Sequence, residues 1–118
     1  MANWLFDRHG RPRIIHDSDC LRDRHGRVCA WLSGSNVYST RGRHIGWFEE
    51  GVIYDLRNRA IGFLANASGS MPARPGLVGT PGMPGFSGRP GRPGFEGAPG
   101  RPGEGGWSSD DLESYFES

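Results

Sequence analysis

The chain has 118 residues and a net charge of +1, from 14 Arg, no Lys and 13 acids, with 20 Gly and 9 Pro. So balanced a charge exerts no global pull on nucleic acid or on anionic membrane. One domain is expected at this length, and no apolar run approaches the ~18 residues of a membrane-spanning helix.

Residues 1–7 carry neither a basic n-region nor a long apolar stretch, so no secretory signal is expected and the chain reads as cytoplasmic. The exclusive use of Arg is explained by codon bias in a GC-rich genome at least as well as by a need for bidentate donors. Charge is unevenly spread: residues 1–66 hold ten Arg and seven acids, whereas residues 104–118 hold five acids and no base.

From the N-terminus onward one short phrase is written four times, at a stride of sixteen residues. Asp7, Asp23, Ser39 and Asp55 are followed three residues later by Gly10, Gly26, Gly42 and Asn58, and then by Arg11, Arg27, Arg43 and Arg59. Apolar Leu5, Leu21, Val37 and Ile53 precede each phrase, and bulky Ile15, Trp31, Trp47 and Phe63 follow it. A fixed period of this kind dictates architecture before any local propensity does.

Asp-x-x-Gly is turn chemistry. The Asp side chain bonds the turn backbone, and the fourth place needs the positive φ that Gly, or next best Asn, supplies. Each phrase therefore predicts a β-hairpin closed by a type I turn with a bulge. The register implied sets Asp7, Asp23, Ser39 and Asp55 opposite Arg11, Arg27, Arg43 and Arg59. Leu5 then faces Arg13, Leu21 faces Cys29, Val37 faces Ile45 and Ile53 faces Ile61. Ala30, Gly46 and Gly62 recur at one small position, which predicts close backbone approach there. On the same register Cys20 and Cys29 are offset diagonally, a poor disulfide geometry, so two reduced, buried thiols are expected.

One hairpin is not stable in water, and four equivalent ones bury their apolar faces most simply by packing around a pseudo-four-fold axis. The Asp-x-x-Gly-Arg…Gly-Trp/Phe repeat over residues ~2–66 resembles the bacterial four-fold β-flower family. That resemblance implies an all-β fold of four hairpin petals and brings no established activity with it. A short open meander is the alternative architecture.

Beyond residue 66 the pattern changes. Glycine occupies every third position from Gly76 to Gly106, and Pro81, Pro84, Pro90, Pro93, Pro99 and Pro102 all take the third place of a triplet. This is the composition signature of collagen. Residues 67–106 are read as a disordered or polyproline-II tail, with a short triple-helical stalk as the alternative. Residues 107–118 form an acidic, aromatic tip. There Asp110 and Glu113 suggest a capping box, and Leu112, Tyr115 and Phe116 fall on one helical face. With Trp107 they make a candidate docking peptide, suited to a basic surface in cis or on a partner.

Catalytic and metal signatures are weak. His9, His16, His25, His44 and the two Cys show no zinc spacing, the turn Asp residues form no calcium loop, and neighbouring Glu49 and Glu50 would point to opposite faces of a strand. No cofactor, no metal and no enzymatic activity are expected. Nucleic acid is disfavoured because most of the aromatic residues are needed as core. A four-fold ring of Arg11, Arg27, Arg43 and Arg59 at one rim is the candidate anion- or peptide-binding feature. Arg43, facing Ser39, is its least neutralised member. The expected function is a non-enzymatic interaction module. Its partner is a protein or peptide, the chain's own tail included, or else three copies join through a collagen-like stalk.

Overall fold

The computed structural model describes residues 2–69, 71–103 and 106–116. Glu104, Gly105, Glu117 and Ser118, which belong to the expected tail and acidic tip, lie outside the described residues. Eight antiparallel strands close into a barrel in chain order: β1 (Ala2–Phe6), β2 (Pro12–Asp17), β3 (Cys20–Asp23), β4 (Val28–Ser33), β5 (Asn36–Ser39), β6 (His44–Glu49), β7 (Val52–Tyr54) and β8 (Ala60–Leu64). Strand β8 returns to β1 through Leu5 opposite Leu64 and Phe6 opposite Phe63, which removes both sheet edges. The only helix among the described residues is α1 (Leu112–Tyr115), and no helix is long and apolar enough to cross a membrane.

The four turns follow the repeat. Each turn Asp or Ser carbonyl accepts from the N–H of the residue three further on, at 2.9–3.0 Å, and its own N–H donates to the following Arg carbonyl at 2.8–2.9 Å. Asp7, Asp23 and Asp55 also accept two backbone N–H bonds each through Oδ1, and Ser39 Oγ does the same more loosely. Gly10, Gly26, Gly42 and Asn58 all have positive φ, from 59° to 88°.

One step beyond the turn the register departs from the expected one. Leu5 faces Ile14, Leu21 faces Ala30, Val37 faces Gly46 and Ile53 faces Gly62, with a shift in every hairpin. An extra residue (Arg13, Cys29, Ile45, Ile61) bulges out of the second strand each time, which increases local twist and helps so short a sheet to close. The bulge also sets the small residues opposite the axial ones. A Cβ on Gly46 would lie 2.1 Å from the Tyr54 carbonyl oxygen, so close backbone approach does occur at that position. Cys20 pairs across the ladder with Trp31, and both cysteines are free thiols.

Alternation along the strands makes two apolar layers. Leu5, Ile14, Leu21, Leu32, Val37 and Ile53 form one cluster, the barrel lining, which Leu112 and Phe116 of the carboxyl-terminal segment complete. Trp4, Phe6, Ile15, Trp47, Tyr54 and Phe63 form a second, and Cys20, Trp31 and Tyr38 a third, on the outer wall. An outer wall this apolar needs a cover, and residues beyond 70 supply it.

Candidate peptide-docking surfaces

The Gly/Pro segment has no regular secondary structure, yet it is not a free tether in this structure. It runs around the outside of the barrel, touching each hairpin turn in succession. The N–H groups of Val78, Ser87 and Glu96 donate to the carbonyls of Gly10, Gly26 and Gly42 at 2.8, 3.1 and 2.9 Å. The carbonyl oxygens of Gly76, Gly85 and Gly94 press so close to the same turns that a Cβ on Gly10, Gly26 or Gly42 would lie within 2.0–2.1 Å of them. Turn glycine thus has two duties, positive φ and room for the belt. At the fourth turn Asn58 uses its side chain instead: Nδ2 donates to the Pro102 carbonyl at 2.9 Å and Oδ1 accepts from Arg101 Nε at 2.7 Å.

These contacts advance by nine residues along the belt for every sixteen along the barrel. The belt therefore carries a nonapeptide period, Arg/Met-Pro-Gly-Phe/Leu-x-Gly-x-Pro-Gly, in which the triplets are grouped in threes: residues 74–82, 83–91 and 92–100, with a partial copy from Arg101. First-place Arg residues reach over the wall aromatics, Arg74 at 5.1 Å from the Phe63 ring, Arg92 at 5.4 Å from Trp31 and Arg101 at 5.7 Å from Trp47. Fourth-place aromatics do likewise: Phe95 stacks on Tyr38 with centroids 4.1 Å apart, and Phe86 lies under the Arg22 guanidinium at 4.5 Å. Arg22 is itself buried, with Nε held by Asp17 at 2.8 Å. The hydrogen bond from Arg22 holds the Asp17 carboxyl below the usual carboxylate range.

The acidic tip docks at the barrel mouth, among the four turns. Trp107 pairs in parallel with Ala60, flanked by Ala60 N–H to the Gly106 carbonyl and Ser108 N–H to the Ala60 carbonyl, both 2.7 Å. The Ser108 hydroxyl donates to Asp55 Oδ2 at 2.7 Å in a fully buried pair. A short helix follows, capped by Asp111, whose carboxylate accepts from Ser114 N–H at 3.2 Å. The cap expected at Asp110 therefore falls one residue later, because the Asp110 N–H is engaged by Ser108 Oγ. Leu112 enters the hollow left by Gly62, where a Cβ would come within 2.8 Å of it. Phe116 closes the lining beside it, and the Tyr115 hydroxyl donates to the Ile45 carbonyl. Burial pushes the Tyr115 pKa up to about 12, so it stays a donor throughout the physiological range.

Arg11, Arg27, Arg43 and Arg59 stand at equivalent places around this mouth. Three pair with their turn carboxylates, Arg11 with Asp7 at 3.6 Å, Arg27 with Asp23 at 3.1 Å and Arg59 with Asp55 at 3.5 Å. Arg43 is exposed, and no carboxylate pairs with it among the described residues. The cations that hold the tip come from a different place in the turn, the residue directly after the Asp. Arg24 Nε pairs with Glu113 at 2.8 Å, and Arg8 Nη1 donates to the Ser108 carbonyl at 3.3 Å. Hairpins three and four carry Thr40 and Leu56 there, an asymmetry readable in the sequence. Burial raises the pKa of both Cys20 and Cys29 and keeps the thiols protonated.

A family model described as a 4-fold beta flower protein matches residues 3–116, and the chain belongs to that family. The match takes in the belt and the tip as well as the hairpins. Searches among curated proteins and among solved structures gave no match.

Proposed function

We propose that this β-flower protein is a non-enzymatic binding module whose barrel mouth receives a short acidic peptide with aromatic and aliphatic anchors. The observation that carries this reading is the seating of residues 107–116. That segment contributes two residues to the barrel lining, a strand-like pairing at Ala60, a buried Ser108–Asp55 bond and an Arg24–Glu113 ion pair. Such a set (apolar anchors, one backbone pairing, one charge contact) is how peptide-recognition grooves work. In the free protein the chain's own tip is the ligand, and a partner with the same chemistry would compete for the place. The mouth carboxylates are committed to turn backbone, Arg and Ser108, which favours binding over acid–base catalysis. Cytoplasmic residence accords with two free, protonated thiols.

The reading is tested with a labelled peptide of residues 107–118 and the full chain carrying Leu112→Ala and Phe116→Ala, which loosens the tip in cis. The peptide is expected to bind this variant at least tenfold more tightly than it binds the wild type, whose mouth is filled. Glu113→Arg in the peptide should weaken binding, and Arg24→Glu in the protein should restore it. A folded variant that takes up no peptide would end the proposal.

A further inference from the structure

We propose that the wall of hairpin one, on the outer face of the barrel beside the mouth, is a second binding site. Its ligand class is glycine–proline chains of another protein with the core Pro-Gly-Phe-x-Gly-x-Pro-Gly. Three features point to it.

The wall reads this chemistry by contacts that do not depend on covalent continuity. A turn carbonyl takes a belt N–H, a turn glycine takes a belt carbonyl, and Phe86 and Phe95, the aromatics after Gly85 and Gly94, meet Arg22 and Tyr38 of the wall. Extended proline-rich chains suit such recognition because little conformational freedom remains to be lost on docking.

The four quarters are not equally served. Around hairpins two to four the belt supplies Arg92, Arg101 and Arg74 over wall aromatics, with Phe86 and Phe95 as anchors. Around hairpin one, repeat 74–82 offers Leu77 and Val78, and Met83 takes the place where the other repeats have Arg. Leu77 and Val78 are 44% and 52% exposed, more than either belt aromatic (Phe86 is 40% exposed), and Met83, which opens the next repeat, is 42% exposed.

The same quarter contains unfilled space. A groove of ≈420 Å³ runs between belt and barrel, with Trp4, Pro12, Val78 and Pro81 among its walls, and a second of ≈290 Å³ has Trp4, Phe6, Leu64 and Met83 among its walls. Arg11, Arg13 and Arg24 rim the first groove; each pairs through Nε with a carboxylate of this chain (Asp7, Asp7 and Glu113), so their Nη groups are what is offered to an acid at the ligand's variable place. The third belt repeat, residues 92–100, has that sequence, with Phe95 followed by Glu96. A chain of this kind supplied in trans would replace residues 76–82 at hairpin one and leave Arg74 over Phe63 and the other three quarters wrapped.

Trp4 provides the test, because its indole Nε1 donates to the Pro81 carbonyl at 3.2 Å and reports on this repeat alone. The synthetic nonapeptide of residues 92–100 is titrated into the full chain while the indole N–H resonances are followed. The Trp4 signal should move and saturate while those of Trp31 and Trp47 stay in place. Leu77→Asp, placed where repeat 74–82 lies against the Gly10 turn, should loosen that repeat and tighten peptide binding at least tenfold. Gly10→Ala should abolish it, and a Phe→Ala nonapeptide should bind at least tenfold more weakly. An unmoved Trp4 signal overturns the proposal, as does equal binding of the Phe→Ala peptide or a parallel shift of all the indoles. Self-association of the unliganded chain at the same face would replace the foreign chain with a second copy and overturn it too. Because the mouth is probed with residues 107–118 and this wall with residues 92–100, failure of one reading leaves the other standing.

Discussion

A hydrogen in place of a methyl group at Gly10, Gly26 and Gly42 lets one stretch of chain lie against another. Two costs separate at these positions. Gly34 also has positive φ, 61°, but a Cβ there would meet nothing within 4 Å. Gly34→Ala should therefore cost only the left-handed strain of about 1–2 kcal/mol. Gly26→Ala, at φ 88° with the Gly85 carbonyl oxygen 2.1 Å from the new methyl, should cost clearly more in urea unfolding, because the belt must lift. Equal costs would mean that the belt contributes nothing at that turn. His44 gives a pH signature. It is buried, its Nε2 lies 3.1 Å from Asn36 Oδ1, and its Nδ1 has no partner. Desolvation holds its pKa below the ordinary imidazole value, against a smaller opposite pull from Glu96. The folded state thus favours the neutral ring, and the unfolded chain takes up the proton first. Stability should be flat above about pH 6.5 and fall as pH drops below it towards the folded pKa. Burial lowers the His16 pKa in the same sense, so His44→Gln should reduce the fall in Tm between pH 7.5 and 5.5 without removing it. Asp17 acts in a separate window, its contribution being lost only below the ordinary carboxylate pKa. An unchanged pH slope in His44→Gln would show that this ring is not strained by burial.

Among the elements, the docked tip depends on its buried polar contact as much as on its apolar anchors. Ser108→Ala removes the short hydrogen bond to Asp55 Oδ2 and leaves that buried carboxylate oxygen with only the longer Arg59 contact at 3.5 Å. A loss of about 1–3 kcal/mol is expected, against little change for Ser109→Ala at an exposed neighbour, as measured by chemical denaturation. Much of the barrel was legible in the sequence, because Asp-x-x-Gly and its Asn58 variant specify both turn and φ and a sixteen-residue period leaves few ways to pack. The further bulges beyond each turn were not, since Arg13, Cys29, Ile45 and Ile61 carry no turn signal and differ from paired residues only once the barrel closes. The ring of Arg11, Arg27, Arg43 and Arg59 could be placed from the repeat. Arg8 and Arg24, which hold the tip, could not, because their role depends on where the Ser108 carbonyl and the Glu113 carboxylate arrive from more than eighty residues away. The nine-residue period of the belt went unread for a different reason. A three-residue glycine period is so strong a signal that it masks the nine-residue period of Arg, Phe and Leu within it. Only the longer period matches one belt repeat to one hairpin.

For the whole molecule, the two periods explain each other. A barrel of four hairpins with an apolar outer wall needs a cover with four-fold spacing, and three triplets of extended chain supply one span per hairpin. The result is a flattened body of 36 × 36 × 22 Å, with lining, barrel and belt as concentric layers. Hydrogen exchange of the belt amides tests this account most directly. It predicts slow exchange at Val78, Ser87 and Glu96, nine residues apart, with faster exchange between them, in a particle of monomer mass. Uniformly fast exchange from residue 76 to residue 103 would contradict it and make the segment a free tether. Protection at every third residue, on the glycines, in a particle of trimer mass would contradict it in favour of a collagen stalk.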